Sequence, residues 1–95
     1  MNTISLKTIR EFVALHPDAK LPLTAWYKMA KKARWRSLAA VRQTYPHADL
    51  VGNYTIFNIR GNHYRLIAEI NYQYQQILIR EILTHEEYER DKWKS

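Results

Sequence analysis

Four side chains in the second half of the sequence have the chemistry to work on a phosphodiester: Arg65, Arg80, His85 and Tyr88. Guanidinium groups bind phosphate oxygens in a bidentate manner and stabilise the extra charge of a pentavalent phosphorane. Metal-free cleavage of RNA also needs one group to take the 2′-hydroxyl proton and another to protonate the leaving 5′-oxygen. His85 can do either near neutral pH, and Tyr88 can do so where neighbouring cations favour its phenolate. One helical turn at most separates His85 from Tyr88, so both can face the end of the strand that carries Arg80. Each residue also has a plainer reading. Arg80 precedes Glu81 and fits a solvated strand position, His85 in a first helical turn can bond locally, and Tyr88 by spacing alone fits a core.

The elements around these residues decide whether they meet. From Asp49 the hydropathy pattern takes a period of two. Tyr54 to Arg60 and His63 to Tyr72 read as strands rich in aromatic and β-branched residues. Gly61-Asn62 between them fits a two-residue type II′ turn. That turn pairs Arg60 with His63, Asn58 with Arg65, and Ile56 with Ile67. Cross-strand partners share a face, so Asn58, Arg60, His63 and Arg65 are expected on one polar, basic surface. Thr55, Phe57, Ile59, Tyr64, Leu66 and Ala68 then form the core face. A third strand, Gln76 to Leu83, follows as a second hairpin. With a Gln73-Tyr74 loop, Arg80 lies opposite Ile67 and next to Arg65; a loop one residue longer turns it to the other face. Thr84-His85-Glu86-Glu87 has capping-box spacing and predicts a short C-terminal helix with Tyr88 and Trp93.

The first half is helical. Residues 2 to 4 read as a short strand or an extended entry. From Ser5, as N-cap, the apolar positions Leu6, Ile9, Phe12 and Val13 recur at helical spacing until Pro17 ends the helix. A second helix opens near Pro22, with Leu23, Trp26, Ala30 and Ala33 as its apolar stripe. Ser37 caps a third, shorter helix that stops before Pro46. Lys28, Lys31, Lys32, Arg34 and Arg36 are the densest positive charge in the chain. They read either as a phosphate-binding face, with strong salt dependence, or as the solvated side of an amphipathic helix. Trp35 among them can stack on a base or fill the core.

Composition bounds the rest. At 95 residues, with 46% hydrophobic and 25% charged, the chain fits one ordinary globular domain, residues 1–95. The formal charge of +6 favours a polyanionic partner. The absence of cysteine excludes disulfides, thiolate metal sites and a cysteine nucleophile. His16, His47, His63 and His85 show no zinc-ligand spacing, and there is no phosphate loop, nucleophile elbow or dinucleotide fingerprint. No cofactor is expected. No apolar run approaches a membrane span and no signal peptide is visible, so the expected location is the cytoplasm.

Several short segments occur in a specific order: Asp49-Leu50-Val51, Phe57-Asn58-Ile59-x-Gly61-Asn62, Tyr64-Arg65-Leu66-Ile67, Ile79-Arg80-Glu81 and Thr84-His85-x-Glu87-Tyr88. With Trp35, Thr44 and Tyr45-Pro46 upstream, the set resembles the HigB family of toxins, in the wider RelE/ParE-like superfamily. The resemblance implies an α+β fold, with N-terminal helices packed on a small antiparallel β-sheet and a short C-terminal helix. It implies a ribosome-dependent mRNA interferase, a metal-independent endoribonuclease acting in the ribosomal A site. It implies a cognate helix-turn-helix antitoxin, HigA-like, with operator DNA bound only through the antitoxin complex. Arg65 and Arg80 match family arginines suited to the scissile phosphate, and His85 and Tyr88 match the proton-transfer segment. Asn58 and Asn62 match family positions too, where they serve the hairpin or the chemistry. Asn58, Arg60 and His63 are expected RNA contacts, as are Lys28, Lys31, Lys32, Arg34 and Arg36, of which the three lysines match no family motif and rest on charge alone. Two other readings use the same surface: a ParE-like gyrase inhibitor, and a nucleic-acid-binding module without catalysis.

Overall fold

The computed structural model describes residues 1–4, 6–90 and 93. The elements in chain order are β1 (Asn2–Ile4), α1 (Leu6–Leu15), a 3-10 turn (Pro17–Ala19), α2 (Lys20–Lys32), α3 (Leu38–Thr44), β2 (Asp49–Val51), β3 (Tyr54–Ile59), β4 (Tyr64–Asn71), β5 (Gln76–Thr84) and α4 (His85–Glu89). The five strands form one sheet in the order β1-β5-β4-β3-β2. All neighbours are antiparallel except β1, which runs parallel to β5 and makes the sheet mixed.

Proline and capping chemistry set the helix limits. His16 is extended (φ −134°, ψ 77°), as a residue before proline must be, and Pro17 opens the 3-10 turn. That turn runs straight into α2, which therefore starts at Lys20, two residues before the expected Pro22. Pro22 is tolerated because the first-turn N–H groups have no partner inside the helix. Ser37 caps α3 as expected, accepting from the Ala40 N–H at 3.2 Å. The expected cap at Ser5 lies outside the described residues. At the other end of α2, the Met1 ammonium donates to the carbonyls of Ala30, Lys31 and Ala33 at 3.2, 3.0 and 2.5 Å. A cation there complements the negative end of the helix dipole. Burial and the nearby Arg34 hold its pKa below the usual value.

The helices cover one face of the sheet. Ile9, Phe12, Leu23, Trp26, Ala30 and Val41 pack on Phe57, Ile59, Leu66, Ala68, Ile77, Ile79 and Ile82. Phe57 is the hub: Trp26 meets it edge-on at 5.3 Å, Tyr45 at 5.4 Å, and Trp35 stacks at 6.1 Å. Trp35 is therefore core and not a base-stacking platform. On the opposite face Ile56 and Ile67 are also buried, at 2% and 1% exposure. Trp93 lies 6.2 Å from Tyr54 and stacks on Tyr88, so part of this face is apolar and covered. The expected wholly polar surface is corrected to a polar strip at one end.

The β3–β4 hairpin has the expected register, with Asn58 opposite Arg65 and Ile56 opposite Ile67. The β4–β5 hairpin starts in the expected register, from Asn71 opposite Gln76 to Ala68 opposite Ile79, and then slips by one. Glu81, not Arg80, stands opposite Ile67, and Arg80 is the extra residue of a β-bulge. The cause is burial. Strict alternation from Ile79 would send Glu81 into the core and Ile82 out; the bulge puts Ile82 opposite Leu66 instead.

Candidate active site

Three segments converge at one corner: the turn of residues 60–63, the start of β4, and the junction of β5 with α4. Tyr64 pairs with Thr84, and the His85 N–H donates to the His63 carbonyl at 2.9 Å. Thr84 accepts from the Glu87 N–H at 3.2 Å while the Glu87 carboxylate accepts from the Thr84 N–H at 2.9 Å. That reciprocal cap starts α4 where it must for His85 to face β4.

Arg65 is the centre of the corner and is only 8% exposed. Its Nη1 donates to the carbonyls of Asn62 and Tyr64, each at 3.2 Å. Its Nη2 donates to Asn62 Oδ1 and approaches His85 Nδ1 at 3.4 Å. The Tyr88 ring lies over the guanidinium, 5.3 Å from ring centre to Cζ. A guanidinium only donates, so Nδ1 of His85 offers its lone pair there. The proton of the neutral ring is then on Nε2, which faces Glu89 Oε1 at 3.5 Å. The corner thus holds a fixed cation, an imidazole of defined orientation and a phenol within one helical turn.

Beyond the geometry, a family model described as HigB_toxin, RelE-like toxic component of a toxin–antitoxin system, matches residues 19–91. The chain belongs to the HigB toxin family. The match spans α2 through the converging corner, so it contains Arg65, Arg80, His85 and Tyr88. Among curated relatives, the chain is similar to the mRNA interferase toxin HigB of Escherichia coli strain K12. Identity is 26% over 92 residues, covering 94% of this chain and 88% of the relative. The mRNA interferase HigB of Shigella flexneri aligns with the same identity and coverage. The mRNA interferase HigB of Escherichia coli O6:H1 is 25% identical over 93 residues, covering 95% of this chain and 90% of the relative.

Within this family member, Arg65, His85 and Tyr88 meet, and Asn58 lies across the strand from Arg65 on the same face. Arg80 does not join them. The bulge directs it to Glu69, with Nε 3.5 Å from Oε1, so it does not lie beside Arg65 as expected. Arg60 also leaves the expected face. It adopts a positive φ of 51° and its Nη1 pairs with Asp18 Oδ2 at 3.1 Å, on the helix side of the turn. His63 is exposed in the turn, its Nδ1 3.0 Å from the Arg60 carbonyl oxygen.

The basic stretch lies elsewhere. Lys31, Lys32, Arg34 and Arg36 line a cleft of about 500 Å³ with Tyr72, Gln73 and Gln75, at the far end of the β4–β5 hairpin. Tyr72, just past β4, is seven positions along the chain from Arg65, roughly 23 Å at strand rise. Lys28 is exposed on the surface of α2. Sequence reasoning singled out Asn62 as a family-matching turn residue without seeing it as the partner of Arg65, and it missed Glu89 and Asp18. Glu89, four after His85 on α4, was visible as a helical spacing. Asp18, 46 residues from Tyr64, left no local signal.

Proposed function

We propose that residues 1–95 act as one toxin domain, a ribosome-dependent mRNA interferase that cuts messages by a metal-independent endoribonuclease reaction. The names of the E. coli relatives support the activity. The single observation that carries it here is the buried Arg65 guanidinium, seated between Asn62 and His85 under the Tyr88 ring.

In the proposed reaction the ribose 2′-oxygen attacks the adjacent phosphorus, forming the P–O2′ bond while the P–O5′ bond breaks. His85 and Tyr88 share the proton transfers: one takes the 2′-hydroxyl proton and the other supplies a proton to the leaving 5′-oxygen. Arg65 stabilises the charge that accumulates on the phosphorane oxygens, from a position that needs no reorganisation during the step. Glu89 keeps the His85 ring in register, as a carboxylate does beside a working imidazole. Asn58 and Arg80 contact the phosphates flanking the cut. Lys28, Lys31, Lys32, Arg34 and Arg36 hold RNA backbone farther off, with Arg60 and His63 at the rim of the turn. The protein acts in the cytoplasm, where message and ribosome are, and its cognate partner is a helix-turn-helix antitoxin that carries the complex to operator DNA.

The test is induction in a bacterium with primer extension on an abundant message, beside the His85→Gln variant. Discrete in-frame cuts that fade with His85→Gln support the reading. Growth arrest with intact messages and damaged DNA would refute it in favour of gyrase poisoning, and intact messages with no arrest would leave only nucleic-acid binding.

A further inference from the structure

Asp18 has no part in the chemistry above, yet its carboxylate is the most heavily used acceptor near the corner. Both of its oxygens lie 2.7 Å from the Tyr64 hydroxyl, which donates to them, and Oδ2 is 3.1 Å from Arg60 Nη1. The Tyr64 hydrogen bond, and after it the Arg60 cation, hold the Asp18 carboxyl below the usual carboxylate range. The same hydrogen bond, with burial, pushes the Tyr64 phenol up. The two partners of Asp18 stand immediately on either side of the turn.

That turn is the mount of Arg65. The His63 N–H donates to the Arg60 carbonyl at 3.2 Å, closing it, and Arg60 and Gly61 take φ of 51° and 62° in succession. A left-handed conformation is ordinary for glycine and uncommon for arginine, so Arg60 needs something to hold it there. Asp18 supplies that hold through the side chain. Within the turn, Asn62 offers both its carbonyl and its Oδ1 to the Arg65 guanidinium. Tyr64 is fixed at two points, its hydroxyl on Asp18 and its carbonyl accepting from Arg65 Nη1. Phe12, edge-on at 5.2 Å, and His16, at 5.4 Å, brace the Tyr64 ring from the helix side.

We propose that Asp18 is a positioning residue of this active site: by gripping Arg60 and Tyr64 it sets the turn, the turn sets Asn62, and Asn62 sets Arg65 against His85. The inference rests on the reading of Arg65 as the phosphate-stabilising group. The helical layer, through one carboxylate in the 3-10 turn, thus governs a guanidinium on the other side of the sheet. Nothing in this arrangement requires Asp18 to touch RNA.

The experiment compares wild type, Asp18→Asn and Tyr64→Phe in single-turnover cleavage of a message bound in the A site of purified ribosomes. Asp18→Asn keeps an acceptor for the Tyr64 hydroxyl and removes the charge facing Arg60. Its maximal rate is expected to fall by about 10- to 100-fold, with the half-saturating ribosome concentration within about twofold, because misplacement costs rate more than binding. Tyr64→Phe is expected to move in the same direction. In an Asn62→Ala background, which removes Oδ1 and leaves the two backbone acceptors of Arg65, Asp18→Asn is expected to cost clearly less than it does alone, because the two changes share part of one route. A readout independent of cleavage is the Arg65 Nε–H signal in a nitrogen–proton correlation spectrum. It is expected to stand apart in the wild type and collapse towards mobile arginines in Asp18→Asn, while the amides of Phe57 and Leu66 stay in place. An unchanged rate, an equal loss in the Asn62→Ala background, or an unmoved Arg65 signal would overturn the proposal. A wild type that cleaves nothing would sink the ribonuclease reading, and the Arg65 signal would still decide the positioning.

Discussion

Replacing Arg65 with lysine keeps the positive charge and removes the fork, which separates the two things that Arg65 brings to the corner. The guanidinium makes four contacts, two from Nη1 to backbone carbonyls and two from Nη2 to Asn62 Oδ1 and His85 Nδ1. A single ammonium can serve one pair or the other, not both. Two contacts to a charged donor are lost, each with a net contribution of about 1.5–3 kcal/mol when well formed. Asn62 and His85 are at the solvent edge and recover part of this from water, so a net loss of about 2 kcal/mol is expected, the largest share from the backbone acceptors. For a domain of this size that lowers Tm by roughly 8–16 °C. The effect on chemistry is larger in proportion. Loss of one preorganised donor to developing charge costs on the order of 10²- to 10³-fold in kcat. Arg65→Lys is therefore expected to retain its fold, to bind programmed ribosomes nearly as wild type, and to cleave at least about a hundredfold more slowly. The assay is single-turnover cleavage alongside a thermal melt. A variant that keeps the wild-type rate would show that charge alone suffices, and the argument from the fork would be wrong.

Three further outcomes follow from neighbouring contacts. Thr84→Ala removes the capping oxygen of α4 and is expected to cost about 1 kcal/mol, or about 4–8 °C in Tm, with Thr84→Ser restoring both stability and cleavage. An unchanged melt would mean that the capping box does not anchor α4. Arg80→Ala is expected to weaken RNA affinity and to flatten the salt dependence of binding by about 0.7 in log–log slope, with kcat changed only a few-fold. Collapse of kcat with an unchanged salt slope would move Arg80 to the scissile phosphate. Asp18, whose folded-state pKa is depressed, contributes stability that is complete above the ordinary carboxylate range and is lost as pH falls through the lower folded value. Melts from about pH 6 to about pH 3 should therefore fall more steeply for wild type than for Asp18→Asn; parallel curves would contradict the assignment.

Much of the fold was legible because local chemistry and tertiary packing agree. Gly61 accepts the positive φ that its turn needs, and the alternation on either side gave the β3–β4 register correctly. Ser37 and Thr84 cap where their spacing said they would. The bulge was harder. The spacing Ile77-x-Ile79-x-x-Ile82 already departs from a period of two, yet only the packing of Ile82 opposite Leu66 shows that this departure is resolved by ejecting Arg80 from the ladder. Arg60 illustrates the complementary failure. Alternation places it beside Arg65, but a positive φ, held by an aspartate from the helical layer, turns it the other way. Of the site, Arg65, His85 and Tyr88 were readable as residue types on elements that meet. Of their partners, Glu89 shows only as a helical spacing from His85 and Asn62 only as a turn residue, while Asp18 carries no signature until the backbone brings it to Tyr64.

The distribution of charge suggests why the chain separates its cations. Two of the arginines in the β3–β5 region have a carboxylate of their own, Arg60 with Asp18 and Arg80 with Glu69, while Arg65 is held by Asn62 and two backbone carbonyls. Those pairings fix geometry and reduce the pull on a polyanion. In the cleft at the far end of β4, Lys31, Lys32, Arg34 and Arg36 have no ion pair with a described residue, so their charge is available to a polyanion. Unpaired cations bind by releasing counterions and lose affinity steeply with salt, whereas a caged guanidinium acts at short range on whatever phosphate is brought to it. On this division, raising the ionic strength should raise the half-saturating concentration far more than it lowers the maximal rate. If both fell together, the cleft and the corner would be working as one site, and the separation of roughly 23 Å along β4 would have to close on RNA.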